Sequence, residues 1–381
     1  MRKTLKTLLA VCSLLLVCEL AFLGWLMYRD NQAMIQDHQP GSTGAPETTL
    51  PETTAAPETT AAPTTEPREP EYFTLTFTGD VTPGCMPGQF QNPKAYVGTV
   101  GDDYEFPFAN LRETFEQDDF TFINLEVVLG LNVGKQANKT FVFSGPEEYV
   151  QIMTSSSVEA VTLANNHVED FGTEGYENTK RVLEEAGVAY VEEDKTSLFV
   201  TESGLVIGLY ADSFDFKESD IVKNIDSLKE QGAEVIICAF HWGTEGAYRH
   251  NDKQTRYAHA AIDAGADIVV GNHPHVLQEM EIYKDKIIFY SLGNFSFGGN
   301  DHPKDYDSAV IQQQIVREPD GTIRLGEMTI IPICISSVSD RNNYQPIPYP
   351  VDSDAYKRVL EKLEGTYSGP NVTPGYDYSK E

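Results

Sequence analysis

Four of the chain's eight histidines, His167, His241, His273 and His275, stand at or just beyond the ends of short apolar runs. Asp80, Glu126 and Asn166 hold equivalent positions after other such runs. Carboxylates, a carboxamide and imidazoles without a thiolate suit Mn, Fe or Zn, and these candidates exceed one tetrahedral shell, so a pair of divalent ions is expected. The densest stretch is GNHPHV at 271–276, which follows the strand-like run ADIVV at 266–270. In extended backbone, side chains two residues apart point the same way, so His273 and His275 are expected to address one point, with Pro274 stiffening the turn between them. Each motif also has a plainer reading. The histidine pair could be hydrogen-bonded in a polar loop, Gly79-Asp80 a turn, Asn124-Leu125-Glu126 a surface loop, Asn165-Asn166-His167 a hydrogen-bonded turn, and His241 a packed core residue. Their concentration at strand ends favours the metal reading.

Strands must deliver these residues, and the apolar patterning supplies them. Runs at 73–78, 120–123, 160–163, 205–210, 235–240, 268–270 and 287–290 read as strands. Helical patterns at 174–186, 219–231 and 252–264 end before Gly187, Gly232 and Gly265, as helices commonly do. Alternation of the two predicts an α/β layered fold, and α/β folds gather ligands at the carboxyl ends of their strands. The runs at 309–317 and 322–335 lack an intervening helix and predict a hairpin turning at Asp320-Gly321. A terminal helix is expected over 354–364, within a domain spanning 72–366, with a loose tail beyond it at 367–381.

The chain begins differently. Arg2, Lys3 and Lys6 precede an apolar run at 7–28, long enough at about 1.5 Å per residue to cross a hydrocarbon core of about 30 Å. The basic residues ahead of it place the N-terminus in the cytoplasm and the remainder of the chain outside the cell. A cleavable signal peptide is the rival, but the run is not succeeded by a small-residue cleavage site, so 1–28 is read as an uncleaved single-pass anchor in the cell membrane. Residues 29–71 are rich in Pro, Thr, Glu, Ala and Gly, with APETT twice, which predicts a disordered stalk. The formal net charge of −30 argues against nucleic acid as a partner. Of five cysteines, Cys12 and Cys18 lie in the apolar run and the other three show no metal-site spacing.

Six motifs in order, FTGD at 77–80, NLE at 124–126, ANNHVEDFG at 164–172, HWGTE at 241–245, GNHPHV at 271–276 and YSLGNFSFG at 290–298, resemble the poly-γ-glutamate capsule-synthesis (CapA) family of the calcineurin-like metallophosphoesterase superfamily. The resemblance implies a four-layer α/β/β/α sandwich with a dinuclear centre between the sheets. Carried over motif by motif, Asp80 and His275 would hold the first ion, Asn166, His241 and His273 the second, and Glu126 would bridge both. His167 would protonate the leaving group rather than bind metal. Asn165, Asp170, Trp242 and Glu245 would stand behind the ligands or on the substrate side, and Asn294 and Phe295 would line the pocket. The chain departs from the wider superfamily in carrying Asp80-Val81-Thr82 where an Asp-X-His is usual, and glutamate at 126 where aspartate is usual.

Two functions are therefore expected. The first is metal-assisted hydrolysis of a phosphoester, or of an amide, in poly-γ-glutamate or surface-polymer metabolism. The second is a non-hydrolytic role in a synthesis or export complex, with the ions binding an anionic polymer beside capsule synthase subunits. The extracytoplasmic placement motivates the second, because ATP-driven ligation occurs on the other side of the membrane.

Overall fold

The computed structural model describes residues 69–368. The apolar run at 7–28, nearly all of the stalk and most of the tail lie outside the described residues. The first strand, Glu71–Thr82, starts one residue inside the span expected for the stalk.

Two mixed sheets form the body. In the first, of eight strands, Glu71–Thr82, Phe120–Leu125, Ala160–Thr162 and Ala189–Val191 run parallel, while Asp307–Arg317 and Ile323–Cys334 extend it antiparallel as the expected hairpin. In the second, of six strands, Val206–Ser213, Val235–His241, Ile268–Asn272 and Lys286–Phe289 run parallel, flanked by the antiparallel strands Lys195–Val200 and Met280–Tyr283. The expected helices form over Gly172–Ala186, Glu218–Glu230, Asp252–Ala264 and Asp354–Leu363. The third of these opens on a capping box between Asn251 and Gln254 and closes at Gly265, whose φ of 115° no β-carbon tolerates well.

Strand Val235–His241 shows why the sheets stack. Val235, Ile237 and Ala239 face the core between the sheets, whereas Ile236, Cys238 and Phe240 face a second core roofed by Ile221, Ile225, Tyr257 and Ala261 of two helices. Alternating side chains on a strand with no polar interruption satisfy two cores at once. The same rule splits Phe120 and Phe122 from Ile123 and Leu125, which turn to a third core with Val182 and Leu183 of the 172–186 helix. Helices therefore cover the outer face of each sheet.

Where the chain crosses from Lys286–Phe289 of the second sheet to Asn294–Phe297, a short parallel neighbour of the first strand in the first sheet, two motifs meet in a backbone contact. A β-carbon on Gly79 would lie 2.2 Å from the Gly293 carbonyl oxygen, and the Asp80 amide donates to that oxygen at 2.9 Å. Only glycine permits such an approach. The Gly-Asp of FTGD and the Gly-Asn of SLGN are thus two halves of one joint. The C-terminal helix is pinned by buried charge, since Lys362 bonds Asp305 at 3.0 Å and Asp307 at 2.6 Å, and Arg358 bonds Asp307 at 2.8 Å.

Candidate metal centre

Asp80, Glu126, Asn166, His241, His273 and His275 converge at the carboxyl ends of the parallel strands. Glu126, His241 and His273 offer donor atoms within 4.8 Å of one another, as do Asp80, Glu126 and His275. Glu126 belongs to both groups. The Asn166 Oδ1 lies 2.7 Å from His241 Nε2, which brings its carboxamide to the first group. Asp80 Oδ2 lies 3.1 Å from His275 Nδ1 and accepts the His273 amide at 3.3 Å.

A donor set of this kind is expensive to bury bare. Glu126 is wholly buried, and neither of its carboxylate oxygens has a hydrogen-bond partner; His241 Nδ1 and His273 Nδ1 are also unpartnered. A buried polar atom left without a hydrogen bond costs about 1–3 kcal/mol, so several in one place point to something that completes them. Divalent cations fit, being positive, oxygen- and imidazole-seeking, and matched to two donor groups that share a carboxylate.

The field within the site separates its groups. Burial, and then the neighbouring Asp80 carboxylate, push the Glu126 carboxyl well above its ordinary value. Burial, then the facing His273 and His275, hold His241 well below the usual imidazole range, and burial beside His275 lowers His273 to about 4. His275 behaves oppositely: burial works against its charge, but Glu126 and Asp80 overcome that and raise it to about 9. Neutral His241 and His273 keep lone pairs for a cation at neutral pH.

Behind the donors runs a chain of carboxamides. Asn124 Nδ2 donates to Asp80 at 2.8 Å, Asn165 Nδ2 donates to Asn124 at 3.1 Å, and Asn165 Oδ1 accepts from the His167 amide at 3.0 Å. His167 itself stays out of both donor groups, with Nε2 3.9 Å from Glu126 Oε1. Its Nδ1 meets Asp170 Oδ2 at 2.6 Å, and Asp170 also accepts from the Phe143 amide at 2.7 Å and from Lys139 Nζ at 2.8 Å. Lys139 further bonds the Asn166 carbonyl. His167 and His275 border a cleft of about 260 Å³ walled by Phe141, Phe143, Phe297, Asn300 and Lys304.

Three expectations need correction. The two imidazoles of HPH do not converge through extended backbone: His273 has φ 94° and His275 φ 57°, so a left-handed turn aims them, with ring centres 5.9 Å apart. Of the two places expected for Trp242, behind the ligands or on the substrate side, the second is excluded. Trp242 is one residue out of phase with His241, so its ring enters the outer core beside Phe240 and its Nε1 donates to the Tyr290 carbonyl at 2.9 Å. Phe295 does not line the cleft either, packing 5.0 Å from Phe108 on the opposite side of the first sheet. Phe297 takes that place, 4.7 Å from His275 between ring centres. Asn294 both borders the cleft and bonds His275 Nδ1 through its Oδ1 at 3.0 Å. Glu245 is exposed on the cleft rim, within 4.8 Å of donor atoms of His273 and His275. Sequence reasoning missed Lys139, Phe143 and Phe214, whose ring sits 4.8 Å from that of His273. A lysine and scattered phenylalanines in loops carry no spacing that would have marked them.

Residues 74–299 match the family model described as bacterial capsule synthesis protein PGA_cap. The capsule biosynthesis protein CapA of Bacillus anthracis is 29% identical over 323 residues, covering 77% of this chain and 74% of its own. The PGA biosynthesis protein CapA of Bacillus subtilis (strain 168) is 28% identical over 317 residues, covering 77% and 78%. Among solved structures, a 5'-nucleotidase from Candida albicans SC5314 aligns over 78% of this chain and 58% of its own, with a TM-score of 0.38 and 14% identity, a likeness too slight to bear on the chemistry.

Proposed function

This chain belongs to the bacterial capsule synthesis protein family, and from that premise we propose that it is a metal-dependent hydrolase of the metallophosphoesterase type, cleaving a phosphoester in poly-γ-glutamate or surface-polymer metabolism. In this reading the 1–28 segment anchors it in the cell membrane and the catalytic domain works outside the cell. The observation that carries the proposal is the sharing of Glu126 between two donor groups, with the buried His167–Asp170 pair alongside and His167 Nε2 3.9 Å from Glu126 Oε1.

Asp80 and His275 would hold one divalent ion, Asn166, His241 and His273 the other, and Glu126 both. When bound, such a pair supplies an activated water at neutral pH and polarises the bond under attack. The protein's own groups do the rest. Asp170, fixed by Lys139 and by the Phe143 amide, accepts from His167 Nδ1–H, which turns Nε2 toward the leaving oxygen and stabilises the imidazolium. His167 Nε2 then delivers its proton to that oxygen as the bond breaks. Phe143 and Phe297 exclude water from the cleft side, and Asn294 fixes the rotation of His275.

The test is cleavage of a chromogenic phosphodiester or monoester by the purified protein. His167→Ala should lose about 10²–10⁴-fold in turnover while keeping its ions, because the imidazole lies outside both donor groups. A metal-loaded protein inert on every phosphoester offered would favour the second reading, a polymer-binding component of a synthesis or export complex. The names of the two Bacillus relatives, which speak of biosynthesis, support that alternative, and rescue of surface polymer by His167→Ala would decide for it.

A further inference from the structure

The two donor groups are unequal. Glu126, His241 and His273 are joined by the Asn166 carboxamide and make four donors, whereas Asp80, Glu126 and His275 make only three. A third group, Glu245 with His273 and His275, overlaps both and lies on the cleft side. We propose that Glu245 is an exchangeable ligand of the centre: its carboxylate fills the position that the Asp80–His275 ion lacks, and an anionic substrate oxygen displaces it. This rests on the metal-centre reading above.

Glu245 is placed for the task by its loop. The Gly246 amide donates to the Pro274 carbonyl at 2.8 Å, which ties the loop to the residue between the two histidines. Gly243 and Gly246, with φ of 84° and 71°, stand on either side as points where the chain turns freely. Among the described residues the Glu245 carboxylate has no hydrogen-bond or ion-pair partner, so nothing holds it away from the histidines. Of the donors around it, Glu126, shared with the Asp80–His275 ion, is wholly buried with neither oxygen hydrogen-bonded, and His273, a donor to the other ion that Glu245 also reaches, is 7% exposed with Nδ1 lacking a hydrogen bond. Buried unpaired donors on one side and an unpaired carboxylate on the other describe a position that a cation completes. A ligand from an exposed loop, unlike one from a strand end, leaves at little structural cost, which keeps one coordination position available as catalytic sites require.

Chelator-stripped full chain, reloaded with Mn²⁺ or Co²⁺, tests this. Calorimetry should give two binding events for the parent. In Glu245→Gln one of them should weaken about 10–100-fold while the other is unchanged, and the visible Co²⁺ spectrum should alter. Inorganic phosphate should bind the metal-loaded Glu245→Gln protein several-fold more tightly than the parent, because it no longer competes with the carboxylate. Loss of negative charge alone would tighten phosphate without weakening any metal event, and that result overturns the proposal. So does a variant that binds both ions like the parent. Glu202→Gln, an exposed glutamate elsewhere, should match the parent throughout. A parent that binds no divalent ion would instead overturn the metal-centre reading itself.

Discussion

Replacing Glu126 by glutamine should abolish most of the stabilisation that divalent ions confer. An ion at 100 times its Kd stabilises a protein by about 2.7 kcal/mol. Residues 69–368 form the described body, and at about 2.1 cal/mol/K per residue its unfolding entropy is about 0.6 kcal/mol/K. Each ion then raises Tm by about 4 °C, and two raise it by roughly 9 °C. Glu126 offers a donor to both groups, so Glu126→Gln should weaken both. If each Kd rises about 100-fold, the same metal concentration stabilises by only about 0.4 kcal/mol per ion, and the shift shrinks to roughly 1 °C. Asp80→Asn touches one group and should retain about half the shift, whereas His167→Ala should retain all of it. Differential scanning calorimetry of the three variants, in chelator and in saturating Mn²⁺ or Zn²⁺, reads the series directly. Equal losses in Glu126→Gln and Asp80→Asn would refute the sharing of Glu126, and an undiminished shift in Glu126→Gln would remove it from the centre altogether.

Other perturbations probe the same geometry. In chelator, the raised Glu126 carboxyl keeps its proton after the unfolded chain has released its own near pH 4.5, so its contribution to stability falls as pH rises by up to about 1.4 kcal/mol per unit, against the opposite slope of the lowered His241 and His273; denaturant melts at pH 5 and 6 should give Glu126→Gln a more positive slope of stability with pH than the parent. Asp170→Asn should lower kcat by roughly 10–100-fold with little change in metal content, because it frees His167 Nδ1 without removing a donor; a matching loss of metal would assign Asp170 to the fold of the loop instead. Gly79→Ala forces a β-carbon against the Gly293 carbonyl, and a loss of more than about 3 kcal/mol in chemical denaturation is expected, well above the usual single substitution. Lys362→Met removes a buried cation from between Asp305 and Asp307, leaving Arg358 and the Tyr349 hydroxyl on Asp307, which should cost about 3–5 kcal/mol in the same assay.

The layered fold was legible because its signal is local and repeated. The run from Val235 to Phe240 has no polar residue, which already says that both its faces are covered, and its carboxyl end supplies His241. Parallel strands with helices between them can place such ends only on one side of the sheet. The illegible parts depend on contacts between distant segments. The small pair Val128–Leu129 and Ser144–Gly145 is two residues long on each side and has no alternation to detect. Phe295 and Phe297 exchanged roles for a related reason. The register between the first strand and the Asn294–Phe297 strand shifts between Asp80 and Thr82, two steps on one side against three on the other. A bulge of that kind re-aims every side chain after it, and no sequence pattern announces it.

The histidine pair shows how a correct destination can be reached through an incorrect premise. Alternation along a strand predicted that His273 and His275 share a target, yet the strand ends at Asn272 and both residues adopt positive φ. Such backbone costs about 1–3 kcal/mol per residue and persists only where surroundings over-determine it. Here the surroundings are identifiable. Asp80 accepts the His273 amide, Asn294 bonds both the ring and the carbonyl of His275, and Gly246 bonds the carbonyl of Pro274. Each anchor comes from a different motif of the chain. Two of these anchors, Asp80 and Asn294, also meet the His275 ring, so losing either should loosen the turn and that imidazole together. The donor types were readable because chemistry restricts them; the strained turn that aims them was not, because it exists only once four separate motifs have come together.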